Sequence, residues 1–306
     1  MLNSIPNDQN IQRQLERLAA QRNLYSKAKF VLSIQLLLTV PITIIWSIIV
    51  AVFPEFKIWS AFYGLTISLL DASVFSSFQK SLRQQAAKIQ ELFDCEVLHL
   101  EWHSLKVGSR PDAESINELS HKFKHTAPDF VTLKNWYPQV VGQLPLYLAR
   151  LVCQRSNCWW DSKLRRRLSR LIIALLFSVA ILVFAIGLFG GITLEKFVLA
   201  IFAPIFPVFL WGIREYKTQR EAADTLDRLK SHIENLWENA IKNNSTSLQI
   251  QQEARNLQDE IYERRRNNPL IFDWIYKRLR SKYEEQMNKG ADELVKEALQ
   301  RVKNAA

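Results

Sequence analysis

Residues 30–53 read FVLSIQLLLTVPITIIWSIIVAVF, residues 54–57 read PEFK, and residues 58–78 read IWSAFYGLTISLLDASVFSSF. The first run holds no charged side chain and exceeds the roughly 20 residues that a helix needs to cross about 30 Å of hydrocarbon. The second run carries one charge, Asp71. Lipid offers backbone groups no partners, so a spanning segment must satisfy them internally, and a continuous apolar run does so as helix. The stretch therefore predicts a transmembrane hairpin whose outer turn is Pro54-Glu55-Phe56-Lys57.

A second apolar stretch occupies 171–213, with a turn at Gly190-Gly191-Ile192 and a second arm whose Pro204 and Pro207 should kink it. The expected fold is an all-α membrane protein: four transmembrane helices in two hairpins, a mostly helical cytoplasmic domain and a helical C-terminal extension. The chain divides into an amphipathic N-terminal helix (1–29), hairpin 1 (30–78), a cytoplasmic helical domain (79–170), hairpin 2 (171–213) and C-terminal helices (214–306). The mostly polar 1–29 leaves residue 30 onward as the insertion signal.

Positive charge fixes the orientation. Arg22, Lys27 and Lys29 precede the first span, and Lys80, Arg83 and Lys88 follow the second. Lys163, Arg165, Arg166, Arg167 and Arg170 precede the third, and Arg214, Lys217 and Arg220 follow the fourth. The outer turns carry only Lys57 and Lys196, each near a glutamate (Glu55, Glu195). Both termini and the middle region are thus expected on the cytoplasmic side. The net charge of +10 lies beside the membrane, which suits anionic headgroups better than duplex DNA or RNA. Cys95, Cys153 and Cys158 are too few and too irregular for a disulfide framework and read as reduced thiols.

Along the rest of the chain, a helix is expected from Gln79 to about His103 and another from near Asp112, with a loop around Ala127-Pro128-Asp129. Ala222, Leu226, Leu229, Ile233, Leu236 and Ala240 form a heptad-like seam. It could pack on the soluble domain of the same subunit or join two subunits. Asn243-Asn244-Ser245-Thr246-Ser247 interrupts it, a basic turn at Arg264-Arg265-Arg266-Asn267-Asn268-Pro269 follows, and Gly290 precedes a short tail helix.

No phosphate-cradling glycine loop, G-x-S-x-G, H-E-x-x-H or C-x-x-C is present, so no catalytic residues, metal ligands or cofactors are expected. Cys95, His99 and His103 at i, i+4 and i+8, and His121 with His125, have metal-ligand side chains at helical spacing, but interleaved Leu98, Leu100 and Trp102 make an ordinary packed helix the plainer reading. In the first span Gln35, Thr39, Thr43 and Ser47 recur every four residues and form a polar stripe. In the second, Gly64, Ser68, Ala72 and Ser76 form a small-residue stripe beside Asp71. An intramembrane carboxylate costs about 2.5–3.5 kcal/mol, so Asp71 should face protein or water. The stripes either glue helices together or line a polar path.

Three stretches, ERLAAQRNLYSKAK (16–29), QLPLYLARLVCQRSNCWWDSKLRRR (143–167) and RRRNNPLIFDWIYKRLR (264–280), together with the four-span layout, resemble the SMODS-associated four-transmembrane pore-forming effectors. The resemblance covers essentially the whole chain. It implies a membrane effector of bacterial anti-phage defence that responds to a cyclic oligonucleotide made by a partner synthase, oligomerises in the lipid bilayer and disrupts the inner membrane. Such a messenger needs cations and stacking surfaces. Arg150, Arg155, Trp159, Trp160, Arg165, Arg166 and Arg167 supply both, and Arg264–Arg266 with Trp274 supply a second set, although membrane anchoring accounts for the same composition. A non-conducting scaffold and a membrane-anchored enzyme with an unrecognised site in 79–170 are the alternatives. A path lined by Gln35, Thr39, Thr43, Ser47, Ser68 and Asp71 needs several subunits around an axis, because one subunit has too little polar surface to enclose water.

Overall fold

The computed structural model describes residues 2–124, 130–189, 191, 193–198, 202–242 and 246–305, and all regular structure among them is helical. The expected turn residues Gly190 and Ile192, His125, the loop at 127–129 and residues 243–245 of the expected break lie outside the described residues. So do the side chains of Lys196 and Pro204.

Helix α1 (Gln12–Thr39) runs without a break from the polar N-terminal segment into the first apolar run. Its lower half is held by burial of Leu15, Leu18, Ala19, Leu24 and Ala28. It stops at Val40 because Pro41 has no N–H to donate back to the previous turn. Helix α2 (Pro41–Val52) restarts there with proline in its first turn, where the missing donor is harmless. After a single 3-10 turn at Pro54–Phe56, α3 (Lys57–Leu70) returns, passes through a π-helical turn at Asp71–Phe75 and continues as α4 (Ser76–Val97).

The expected continuation of α4 to His103 does not occur. Val97 is its last residue and His99 takes φ 52°. The Leu100 amide donates to the Cys95 carbonyl at 2.8 Å and the His99 amide to the Glu96 carbonyl at 3.4 Å. These two bonds make a Schellman stop with histidine in the left-handed position usually given to glycine. The i, i+4, i+8 register of Cys95, His99 and His103 is therefore lost. Cys95 donates to Glu91, His99 meets Asp8, and His103 meets Asp259.

Helix α5 (Ala113–Lys124) starts beside Asp112, as expected. Helix α6 (Leu146–Phe189) is 44 residues long and joins the soluble part to the third apolar run. Helix α7 (Ala203–Ile241) continues through Pro207, while Pro204 sits in its first turn. Thr246 caps α8 (Ser247–Asn267) through a reciprocal bond with Gln249. Arg264–Arg266 thus belong to the last turn of α8 rather than to a loop. Helix α9 (Asp273–Ala305) runs through Gly290, so no separate tail helix exists.

Three helical stretches are long and apolar enough to cross a membrane: Gln12–Val50, Pro54–Val97 and Leu146–Phe189. The expected fourth crossing, 197–213, includes residues outside the described ones and is not among the three. Phe62, Leu65, Leu69, Phe177, Ile181 and Phe184 are exposed along these stretches, an apolar surface that water does not tolerate at this size. The three remaining segments share one core. Ile5 and Leu18 meet Phe93, Leu133, Tyr137 and Leu151, together with Ile233, Ile250, Ala291 and Val295. The seam of α7 is spent inside this core: Leu226, Ile233 and Ala240 are buried, and Leu229 and Leu236 pack against it. Of the two readings of that seam, packing within the subunit is the one the structure shows.

Candidate functional site

Inside the first hairpin the polar residues are joined to one another. Gln35 Nε2 donates to Asp71 Oδ1, and Gln79 Nε2 donates to Gln35 Oε1 at 2.5 Å. The π-helical turn begins at Asp71. An inserted residue of this kind shifts the register on one side of it, and such turns are frequent at functional positions. Higher up, Tyr63 Oη donates to the Leu38 carbonyl at 2.7 Å, just below the Pro41 break. The hydroxyls of Thr39, Ser47 and Ser68 bond to carbonyls of their own helices. Gln35, Thr39, Thr43, Ser47 and Asp71 are half-buried, whereas Ser68 is exposed. A Cβ at Gly64 would meet nothing within 4 Å, so the small-residue stripe of α3 is unpacked in a single copy of the chain.

The basic and aromatic residues of α6 do not converge on one surface, because an α-helix distributes them around its axis and each finds its own partner. Arg150 is buried, and its Nε donates to the Leu98 carbonyl at 2.6 Å and its Nη2 to the His99 carbonyl. It closes the α4 stop rather than facing a ligand. Arg155 pairs with Glu234 at 2.8 Å. Arg166 pairs with Asp224 at 2.7 Å and with Asp227. Trp159 packs edge-on against Tyr283, while Arg167 is exposed.

Two of that set, Trp160 and Arg165, line a cavity of about 230 Å³ where α1, α4, α6, α8 and α9 meet. Eight of its lining side chains are lysine or arginine, and two, Asp161 and Glu284, are carboxylates. Arg264 and Arg265 from the second basic set are among the eight; Arg266 and Trp274 are not. Aromatic surface comes from Tyr25, Trp136, Trp160 and Tyr276. The Arg22 guanidinium lies 4.5 Å from the Tyr276 ring centre and donates to its hydroxyl at 3.0 Å. Burial pushes the Tyr25 hydroxyl up to about 12, so it stays a neutral donor. Burial likewise pushes the Cys158 thiol up to about 12, which leaves it unreactive at neutral pH. Lys29, at the cavity's membrane end, pairs with Asp273 at 2.6 Å, and Ser26 donates to the same carboxylate at 3.3 Å.

Behind the cavity lies a buried ionic network that sequence reading missed. Glu91 and Asp94 on α4 are fully buried. Arg255 Nη2 donates to Glu91 at 2.8 Å, Arg265 to Asp94, and Gln258 to both carboxylates at 2.8 and 2.9 Å. Tyr137 donates to Asp94 at 2.6 Å. Burial, with Asp94 close by, raises the Glu91 carboxyl. Burial opposes the charge on Arg265, but Asp94, Tyr137 and Glu91 together outweigh it and hold the guanidinium above its ordinary value. Charges buried this deeply are retained only when paired, and removing one partner leaves the other stranded.

The model of the family described as the SMODS-associating 4TM effector domain matches residues 3–294. A protein named "Probable CBASS effector molecule", from Bacillus cereus (strain VD146), is 28% identical over 289 residues, covering 91% of this chain and 94% of its own length. No solved structure matches.

Proposed function

The chain belongs to the SMODS-associating 4TM effector family, and from that premise we propose that it is an inner-membrane effector of bacterial anti-phage defence, gated by a cyclic nucleotide messenger that binds in the cavity. Both termini face the cytoplasm, four helices cross the bilayer in two hairpins, and the cytoplasmic segments form the sensing body. The messenger is the product of a partner synthase, and the response is a pore or breach built from several copies of the first hairpin, without enzymatic chemistry. Gln35, Thr39, Thr43, Ser47 and Asp71 line the path; Ser68 and the unpacked stripe of α3 face a neighbouring copy.

One observation carries this reading. Arg22, Tyr25 and Lys29 line the cavity, and Gln35 and Thr39 belong to the first apolar run, all on the single unbroken helix α1. Lys29 and Gln35 are six residues apart, about 9 Å along the axis. A ligand that draws on the cavity cations acts on the helix that holds Asp71. The surplus of cations, with aromatic faces beside them, suits a phosphodiester joined to bases.

Dye release from liposomes carrying the purified chain tests the proposal. Release is expected only when a cyclic dinucleotide or trinucleotide from a panel is added. Release that ignores every nucleotide, or no release with any of them, overturns it. A reporter fused after the last residue is expected to be cytoplasmic, and one inserted at Glu55 external.

A further inference from the structure

One wall of the cavity gathers more donors than its carboxylates can pair. Arg83 reaches in from α4, where its Nε donates to the Arg266 carbonyl at 2.9 Å and its Nη1 to the Asn268 carbonyl at 3.2 Å. Arg165 reaches in from α6, and its Nη1 donates to the Pro269 carbonyl and to Gln219, both at 2.9 Å. Arg165 has a carboxylate partner in Asp161 at 3.0 Å; no carboxylate is within ion-pair reach of Arg83 among the described residues. Burial lowers the Arg83 guanidinium from its ordinary value, and the positive charge of Arg165 lowers it further. Two buried nitrogen atoms on the same wall have no hydrogen-bond partner among the described residues: Asn268 Nδ2, and the Nε of Arg264, whose Nη2 pairs with Glu260 at 3.4 Å. Asn268 is only 8% exposed. A buried donor left unbonded carries the full cost of its desolvation, so two of them beside a pair of mutually repelling guanidiniums form a site that lacks its acceptor.

We propose that this wall is the cavity's phosphate seat, in which phosphoryl oxygens accept from Asn268 Nδ2 and Arg264 Nε and take Arg83 and Arg165 away from the 266–269 carbonyls. A bond between a guanidinium and a phosphate is charged on both sides and outcompetes one to a neutral carbonyl. The released strand is the linker between α8 and α9, which ends at Asp273, the residue that holds Lys29 and Ser26 of α1. The assignment of this group to a nucleotide rests on the function proposed above; the seat itself rests on the donors.

Calorimetric titration of the full chain in nanodiscs with inorganic pyrophosphate tests the seat. Binding is expected in the wild type and in Arg13→Gln, which pairs outside the cavity with Glu96. At least a tenfold loss is expected in Arg264→Gln and in Asn268→Asp, which keeps the shape of the side chain and turns its donor into an acceptor. Hydrogen exchange is expected to quicken at the Ile275 and Tyr276 amides, both bonded to the Phe272 carbonyl, when pyrophosphate binds. Equal affinity in wild type and Asn268→Asp, or no binding of pyrophosphate, overturns the seat. Pyrophosphate binding with no cyclic nucleotide binding upholds the seat and overturns the messenger reading. A cyclic dinucleotide that binds wild type and Asn268→Asp equally overturns the seat alone.

Discussion

The helices of the first hairpin are tied by side-chain hydrogen bonds, whereas the end of α6 and the start of α7 meet through shape. In the first, Gln35, Asp71 and Gln79 form a chain across two helices, and Tyr63 reaches the Leu38 carbonyl. In the second, among the described residues, Ser178 bonds to its own helix at Ala174, and Gly212 admits Leu176 so closely that a Cβ there would lie 2.7 Å from Leu176 Cδ2. Polar bonds have discrete partners and can switch; an apolar fit of this kind can only loosen. The moving part is therefore expected in the 30–78 region, with the contact between α6 and α7 serving as its fixed support.

The largest effect should come from removing the polar stripe. Gln35→Leu with Thr39→Leu takes away the partner of a carboxylate that costs about 2.5–3.5 kcal/mol in hydrocarbon even on lenient scales, and it makes the lining apolar. Nucleotide-triggered conductance in planar bilayers is expected to vanish. Unchanged conductance would show that the stripe is packing and that the two regions do not differ in role. Asp71→Asn should act less severely, because it keeps the hydrogen bond to Gln35 and removes only the charge. Reversal potentials are expected to show weaker cation preference while cross-linking shows unaltered assembly; the same selectivity would remove Asp71 from the path.

Acid should loosen the anchors beneath both regions. Although burial works the other way, pairing with Lys29 holds the Asp273 carboxyl below its ordinary value. Lys29 is itself lowered, by burial, which Asp273 only partly opposes. Burial also opposes the charge on Asp227, but the Ser162 hydroxyl and Arg166 hold it low. A depressed carboxyl stabilises the fold at pH values above its unfolded pKa of about 3.9, and that contribution disappears as pH falls through the folded value. Both carboxylates are about one-third exposed, so each is worth at most ~1 kcal/mol. Unfolding midpoints in detergent should hold from pH 7 to pH 5 and drop towards pH 3. A midpoint that does not change across that range would show that neither pair contributes.

The smallest effect is expected at Gly212→Ala. Helix propensity favours alanine by about 1 kcal/mol, and overpacking costs about 1–3 kcal/mol when nothing yields. The clashing atom is the tip of a leucine, which can rotate, so the net change should stay within about 1 kcal/mol in thermal unfolding. A loss of several kcal/mol would mean that the second region is as finely fitted as the first.

What the sequence reveals of this protein is what is local. The apolar runs at 30–78 and 171–189 carry their own signal, and so does the α7 seam. The stop after Val97 is less visible, because Leu98-His99-Leu100 keeps a plausible helical rhythm and the residue that closes it, Arg150, lies far along the chain. The same distance misleads in α6. Arg155 and Arg166 look like ligand-binding cations until Glu234, Asp224 and Asp227 are brought against them by α7. The cavity is the least legible feature, for its wall is gathered from α1, α4, α6, α8 and α9. Only Trp160, Arg165, Arg264 and Arg265 were recognisable as candidates; Arg83, Asn268 and the Glu91–Asp94 network carry no motif.

Helix α1 also behaves as a shaft. Its 28 residues span about 42 Å, and a regular helix resists twisting, so a small turn imposed at Arg22 or Lys29 arrives at Gln35 almost undiminished. The shaft ends at Val40, where Pro41 removes the next rung of hydrogen bonds. Torque applied at Arg22 or Lys29 is therefore expected to reach Gln35 and its partner Asp71, while α2 beyond the break can stay still.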